Sequence, residues 1–113
     1  MSEHILNSLY QVLLTRKGAE PSESYVASLY DKGAAEITGK VSEEAEETNA
    51  ESLRLEKSPD DTQIRDALKN EAADLLFHLM VMLAYHEVTP DEVFEVLEGR
   101  FGKSGHEEKA SRC

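Results

Sequence analysis

The feature that most limits what this chain can fold into is residues 68–84, a stretch without helix breakers that is apolar almost all the way round. On a helical wheel Leu68, Ala72, Leu75, Leu79 and Leu83 share one side. Ala73, Leu76, Phe77, Met80, Val81 and Ala84 cover most of the rest. After the polar pair Lys69 and Asn70 near its start, Glu71, Asp74 and His78 interrupt it, and these three fall in one sector about 60° wide at 3.6 residues per turn. A helix apolar on nearly every side is normally buried. This spacing therefore predicts a segment enclosed by other helices, with two carboxylates on a polar strip inside protein.

The flanking sequence is helical in the same manner. Ile5, Leu6, Leu9, Val12 and Leu13 recur at helical spacing after Ser2, a candidate cap, and Gly18 and Pro21 close that helix. Ser22 precedes a short helix over 23–31 with Tyr25, Leu29 and Tyr30, stopped by Gly33. A long helix over 34–57 follows, with Ile37, Val41, Ala45, Thr48, Ser52 and Leu55 on a narrow stripe and Gly39 as a local cost. Ser58-Pro59-Asp60-Asp61 marks a boundary, read as Ser58 at the N-cap and Pro59 at the first helical position. The next helix runs to about Tyr85, and Thr89-Pro90-Asp91-Glu92 opens a last one with a capping box. No strand alternation or internal repeat occurs. The fold class expected is all-α, a bundle of four to five helices. Helices this short cannot easily surround so apolar a partner, so completion by a homodimer is expected.

With 113 residues the chain has room for one domain and a single core. Its net charge of −11 excludes the basic stripe that nucleic acid requires, and excludes an anionic membrane surface as well. A polyphosphate ligand remains open to it if cations lie between ligand and protein. Cys113 is the only cysteine, so neither an intramolecular disulfide nor a cysteine metal cage is available. No apolar run reaches the roughly 18 residues of a membrane span, and the start MSEHILNSLYQVLL lacks a basic leader. A soluble, cytoplasmic protein is expected.

The helix over 34–57 supplies a counterpart to the interrupted strip. Lys40, Glu44, Glu47 and Glu51 align at steps of four, three and four, beside the apolar stripe, with Glu43 and Glu46 further round. If the two helices pack through their stripes, Glu44 and Glu47 approach Glu71 and Asp74. Four such carboxylates cannot all stay ionised without a compensating positive charge. Hard oxygen donors at i, i+3 on two helices suit Mg²⁺ or Mn²⁺ completed by water. The plainer alternative is a solvated acidic face on the first helix, with hydrogen-bonded carboxylates and no metal on the second. His78 reads more readily as a satisfied core histidine than as a ligand.

Glu43-Glu44-x-x-Glu47 followed by Glu71-x-x-Asp74 and an apolar run resembles the all-α nucleotide pyrophosphatase (MazG-like) superfamily. Further segments narrow the resemblance. They are Ser24-Tyr25-x-Ala27-x-Leu29, Lys32-Gly33, Lys40-Val41-x-Glu43-Glu44-Ala45-x-Glu47, Glu71-x-Ala73-Asp74-Leu75-Leu76-x-His78-Leu79, and a closing stretch from Arg100 to Arg112. Together they resemble the phosphoribosyl-ATP pyrophosphatase family of histidine biosynthesis over nearly the whole chain. Ser42 stands where the family usually has Gly, and Gly39 where it often has a basic or amide residue.

The resemblance implies a Mg²⁺-dependent helical domain over 1–98 with a basic, glycine-containing tail over 99–113. It also implies pyrophosphate release from phosphoribosyl-ATP, by attack of water between the α- and β-phosphates. Glu44, Glu47, Glu71 and Asp74 would be the metal ligands, and Glu43 an extra ligand or the base. Lys40, one turn before Glu44, is the first candidate for a phosphate contact, its alternative being a surface lysine paired with Glu44. Lys32 is a second candidate. Tyr25 is either a stacking residue or core. Arg100, Lys103, Lys109 and Arg112 place four of the chain's twelve basic residues in the tail, where they can close over phosphates. Two other readings stay open: a house-cleaning pyrophosphatase of (d)NTPs, and an acidic helical interaction module.

Overall fold

The computed structural model describes residues 4–101, and over them the chain is all-helical, as expected. Helix α1 spans Ile5–Thr15 and runs into a 3₁₀ turn, Arg16–Gly18; α2 is Tyr25–Lys32, α3 Ala34–Lys57, α4 Thr62–Tyr85 and α5 Pro90–Gly99. The expected cap Ser2 lies outside the described residues. In its neighbourhood His4 caps α1, its Nδ1 accepting the Leu6 N–H at 3.1 Å.

Three boundaries differ from the sequence reading or sharpen it. Ser24, not Ser22, caps the second helix, because Pro21 starts a turn whose N–H groups at Glu23 and Ser24 return to the Glu20 carbonyl. Gly33 then serves two helices at once: its N–H closes α2 on Leu29 and its carbonyl accepts the first bond of α3 from Ile37. Its φ of 91° is a conformation that a side chain resists, so glycine is required there. Ser58 ends α3 rather than starting α4, since its N–H is committed to the Arg54 and Leu55 carbonyls. Asp61 is the real cap of α4, accepting from the Gln63 and Ile64 N–H groups at 2.9 and 3.1 Å. The Ser-Pro pair therefore belongs to the turn. At α5 the capping box forms as expected, Thr89 accepting from the Glu92 N–H while Glu92 accepts from the Thr89 N–H.

Helices α3 and α4 form an antiparallel hairpin, α1 and α2 pack around one end of it, and α5 packs on α1. The core lies at that end: Tyr10 and Leu13 from α1, Val26 and Leu29 from α2, Ile37 from α3, and Met80, Val81 and Ala84 from α4. Tyr30 ties two layers together by donating its hydroxyl to the Leu13 carbonyl at 2.8 Å while stacking on Tyr85.

Beyond this core the hairpin projects. No residue between Ile37 and His78 is buried. The radius of gyration, 16.7 Å, exceeds the roughly 13 Å of a compact chain of this size. The expectation of a buried helix over 68–84 therefore needs correcting within one chain: its C-terminal part is enclosed, but Leu76 and Leu79 are 47% and 38% exposed and Asp74 is exposed. The reason is coverage. Helices α1 and α2 reach only the end carrying Phe77 to Ala84, and further along α4 has, among the described residues, α3 alone beside it.

Candidate functional site

The projecting hairpin carries the acidic residues. On α3, Glu44 and Glu47 are three residues apart and so share a face, and the antiparallel register sets Glu71 of α4 against them. One carboxylate oxygen from each of Glu44, Glu47 and Glu71 lies within 4.8 Å of the other two. Asp74 stays outside this triad and is exposed, yet its charge is among the causes that raise the Glu44 carboxyl.

The electrostatics record the crowding. Hydrogen bonding to Glu47, then partial burial and the charges of Glu47 and Glu44, push the Glu71 carboxyl up to about 7. Glu44 is raised as well, by burial first and then by Glu47 and Asp74. Two ionised carboxylates cannot hydrogen-bond each other, so with nothing cationic between them the cluster must retain a proton. Glu44 Oε1 and Glu71 Oε1 are buried and have no hydrogen-bond partner among the described residues. Buried acceptors are ordinarily satisfied, and an unsatisfied pair asks for a missing partner. Three hard oxygen donors around two orphaned atoms form the kind of donor set that a small divalent cation takes up, with water as its remaining ligands. The residues present fit such an ion.

Around the triad the other expected site residues are distributed unevenly. Lys40 pairs with Glu43 at 3.5 Å, not with Glu44, and Glu43 itself is exposed. The Lys40 ammonium is held charged more firmly than usual, by Glu43 first and by Tyr25. Glu51, which shares the strip, is occupied by Arg54 at 2.6 Å. Lys32 is exposed in the last turn of α2. Arg100 follows α5 directly. Lys103, Lys109 and Arg112 lie outside the described residues.

Tyr25 is neither plain core nor plain surface. The residue is 50% exposed, and its hydroxyl lies 2.8 Å from His78 Nε2. His78 Nδ1 is 2.8 Å from the Asp74 carbonyl, which only accepts, so Nδ1 carries the proton. Nε2 of the neutral ring then accepts from the Tyr25 hydroxyl. Burial first, and then the charges of Glu44 and Glu43, raise the Tyr25 phenol against an opposing effect of Lys40. His78 is thus a satisfied, buried histidine, and its role is to fix Tyr25. Sequence spacing could not reveal this pair, because it joins α2 to α4 across 53 positions.

Comparison with known proteins bears on the family of the chain. A family profile described as phosphoribosyl-ATP pyrophosphohydrolase matches residues 6–101. The phosphoribosyl-ATP pyrophosphatase of Geobacter sulfurreducens is 44% identical over 97% of this chain and 94% of its own length. That of Trichlorobacter lovleyi is 47% identical over 98% and 95%, and that of Neisseria gonorrhoeae 41% over 99% and 97%.

Proposed function

The chain belongs to the phosphoribosyl-ATP pyrophosphohydrolase family, and from that premise we propose that it hydrolyses phosphoribosyl-ATP to phosphoribosyl-AMP and pyrophosphate, a step of histidine biosynthesis. The observation that carries the reading is the hairpin triad with its two orphaned carboxylate oxygens. An acidic interaction module would leave those oxygens to solvent.

In the reaction a water oxygen attacks the α-phosphorus, the bond from that phosphorus to the bridging oxygen breaks, and pyrophosphate departs with the electron pair. Glu44, Glu47 and Glu71 would hold Mg²⁺, with Mn²⁺ as the substitute and Asp74 as the neighbouring fourth carboxylate. The chemistry supplied by such an ion is neutralisation of phosphate charge and Lewis acidity toward phosphate oxygens. Lys40 reaches the same region as a point charge for a phosphate oxygen, its pairing with Glu43 being loose enough to exchange. Glu43, exposed and adjacent, is the carboxylate that takes the water's proton; Glu44 and Glu47 keep their oxygens for binding. Tyr25, fixed by His78, presents a ring for stacking. The basic residues after α5, from Arg100 through Lys103 and Lys109 to Arg112, are assigned to the departing pyrophosphate.

The bare hairpin also supports a homodimer. The projecting parts of these two helices, which among the described residues touch only each other and leave Leu53, Leu76 and Leu79 exposed, lack a core. A second copy laid on that surface would enclose the acidic strip and make it the interior site that the sequence pattern describes. Light scattering showing a monomer at working concentration would remove this part of the reading. Among the described residues no helix is long and apolar enough to cross a membrane.

The decisive assay is pyrophosphate release from phosphoribosyl-ATP, set against dNTPs, with and without Mg²⁺ or Mn²⁺. Glu44→Gln combined with Glu71→Gln should lower activity on the order of 10³-fold, in the range seen when a principal transition-state electrostatic group is lost, while leaving the helical signal intact. Undiminished activity in that variant would refute the site. A preference for dNTPs would move the chain to the house-cleaning reading.

A further inference from the structure

A cavity of about 500 Å³ is bordered by Tyr25 and by none of the triad carboxylates, and its volume falls in the range of sites that take a nucleoside. Leu9 and Val12 of α1, Ser24 and Tyr25 at the start of α2, Phe77 of α4 and Arg16 contribute to its walls. Arg16 is the only cation among the lining residues and Glu23 the only anion. Its guanidinium has one polar contact among the described residues, a long 3.5 Å bond to Thr15 Oγ1, so it can accept a ligand without breaking an ion pair.

Tyr25 is the wall shared between this cavity and the cluster. Its ring lines the cavity, whereas its hydroxyl is pinned to His78 and lies in the field of Lys40 and Glu44. Phe77, next in sequence to His78 and edge-on to it, supplies a second aromatic surface to the same cavity. A nucleotide whose polyphosphate lies on the acidic side therefore has its base within reach of two aromatic rings. Phosphoribosyl-ATP differs from ATP by a second ribose phosphate joined to the base. That group adds a dianion at the base end of the molecule, where the triad and Lys40 are not available to it.

Resting on the phosphoribosyl-ATP reading above, we propose that this cavity receives the base and its attached phosphoribosyl group, and that Arg16 binds the phosphate of that group. Arg16 thereby becomes a specificity-determining residue, separating phosphoribosyl-ATP from ordinary nucleoside triphosphates. A guanidinium suits the task because it can offer two parallel N–H donors to one phosphate.

The test is Arg16→Gln in the full chain, with kcat and KM measured for phosphoribosyl-ATP. ATP is assayed as a substrate and as a competitive inhibitor, so that the reference holds even where its turnover is slow. The expected result is a KM for phosphoribosyl-ATP raised roughly ten- to hundred-fold, the loss of one charge-assisted contact. kcat should barely change, ATP turnover and inhibition should not change, and Arg16→Lys should recover part of the loss. Equal losses toward both nucleotides, or no loss toward either, would overturn the assignment and leave the proposed activity standing. A wild-type chain inactive on phosphoribosyl-ATP would instead defeat the activity itself, and this inference with it.

Discussion

The two ends of the α3–α4 hairpin are built from continuous helix of the same kind, yet they live in different surroundings. At one end α1 and α2 close over Ile37, Met80, Val81 and Ala84, with α5 packed on α1, and side chains there are excluded from solvent. At the other, residues 38–77 contain no buried position, although Leu53, Leu55, Leu68, Leu75 and Leu76 lie among them. The difference separates the labour: the covered end holds the fold, and the uncovered end holds carboxylates that an apolar environment would not tolerate unpaired. Tyr25 and His78 sit at the junction, so the covered end also sets the geometry of what the open end presents.

The largest expected effect tests which end carries stability. Leu29 is 1% exposed and belongs to the core cluster. Leu29→Ala should destabilise the protein by about 3 kcal/mol through lost burial and the cavity left behind. Leu53, 69% exposed on the projecting part, should cost less than about 0.5 kcal/mol on the same change if nothing covers it. Chemical denaturation of both variants at several protein concentrations checks this. A Leu53→Ala loss that grows on dilution would show that a second chain covers the hairpin, and the contrast between the two ends would shrink accordingly.

That contrast also explains how much was legible beforehand. Glu44 and Glu47 are neighbours by helical spacing alone, and Glu71 faces them because the α3–α4 turn fixes the register. The turn was readable from Ser58-Pro59-Asp60-Asp61 even though its capping role falls to Asp61. Burial was less readable. A wheel that is apolar all round states what a helix needs, not whether its own chain can provide it, and α1 is too short to extend beyond the end of α4 that carries Phe77 to Ala84. Contacts between distant helices, such as Tyr25 with His78, carry no local signature. Nor does the cavity beside Arg16, which three separate segments line.

A second, smaller effect should have opposite signs at the two ends. Glu71 titrates near 7 when folded, above the roughly 4.3 of an unfolded glutamate. In that interval the native state binds more protons than the unfolded one, so the contribution of Glu71 to stability falls as pH rises through it. Near-solvent placement screens the effect and keeps it below that of Leu29→Ala. At the covered end Glu92 is held below the usual carboxyl range by the Thr89 backbone and hydroxyl. Its contribution is present above the unfolded value and is lost as pH falls through the lowered one. Thermal unfolding without divalent ions should therefore show a decline from about pH 5 to about pH 7 that Glu71→Gln flattens and Mg²⁺ opposes. A profile indifferent to both would remove the carboxylate triad as its source.

The smallest effect compares the two side-chain caps directly. Thr89 caps α5 beside Pro90, which is buried, and Asp61 caps α4 at the exposed turn of the hairpin. Each satisfies N–H groups that the first turn of a helix leaves without a partner. Thr89→Ala should cost about 1 kcal/mol of global stability, because α5 packs on α1 and its unravelling opens the core. Asp61→Ala removes two bonds of similar length, but the turn it anchors borders no buried residue. Its loss should therefore appear as local opening, seen as faster amide exchange over the first turns of α4, with little change in the global midpoint. Equal global losses from the two variants would mean that the projecting hairpin unfolds together with the core, and that the division between the ends is one of packing alone and not of cooperativity.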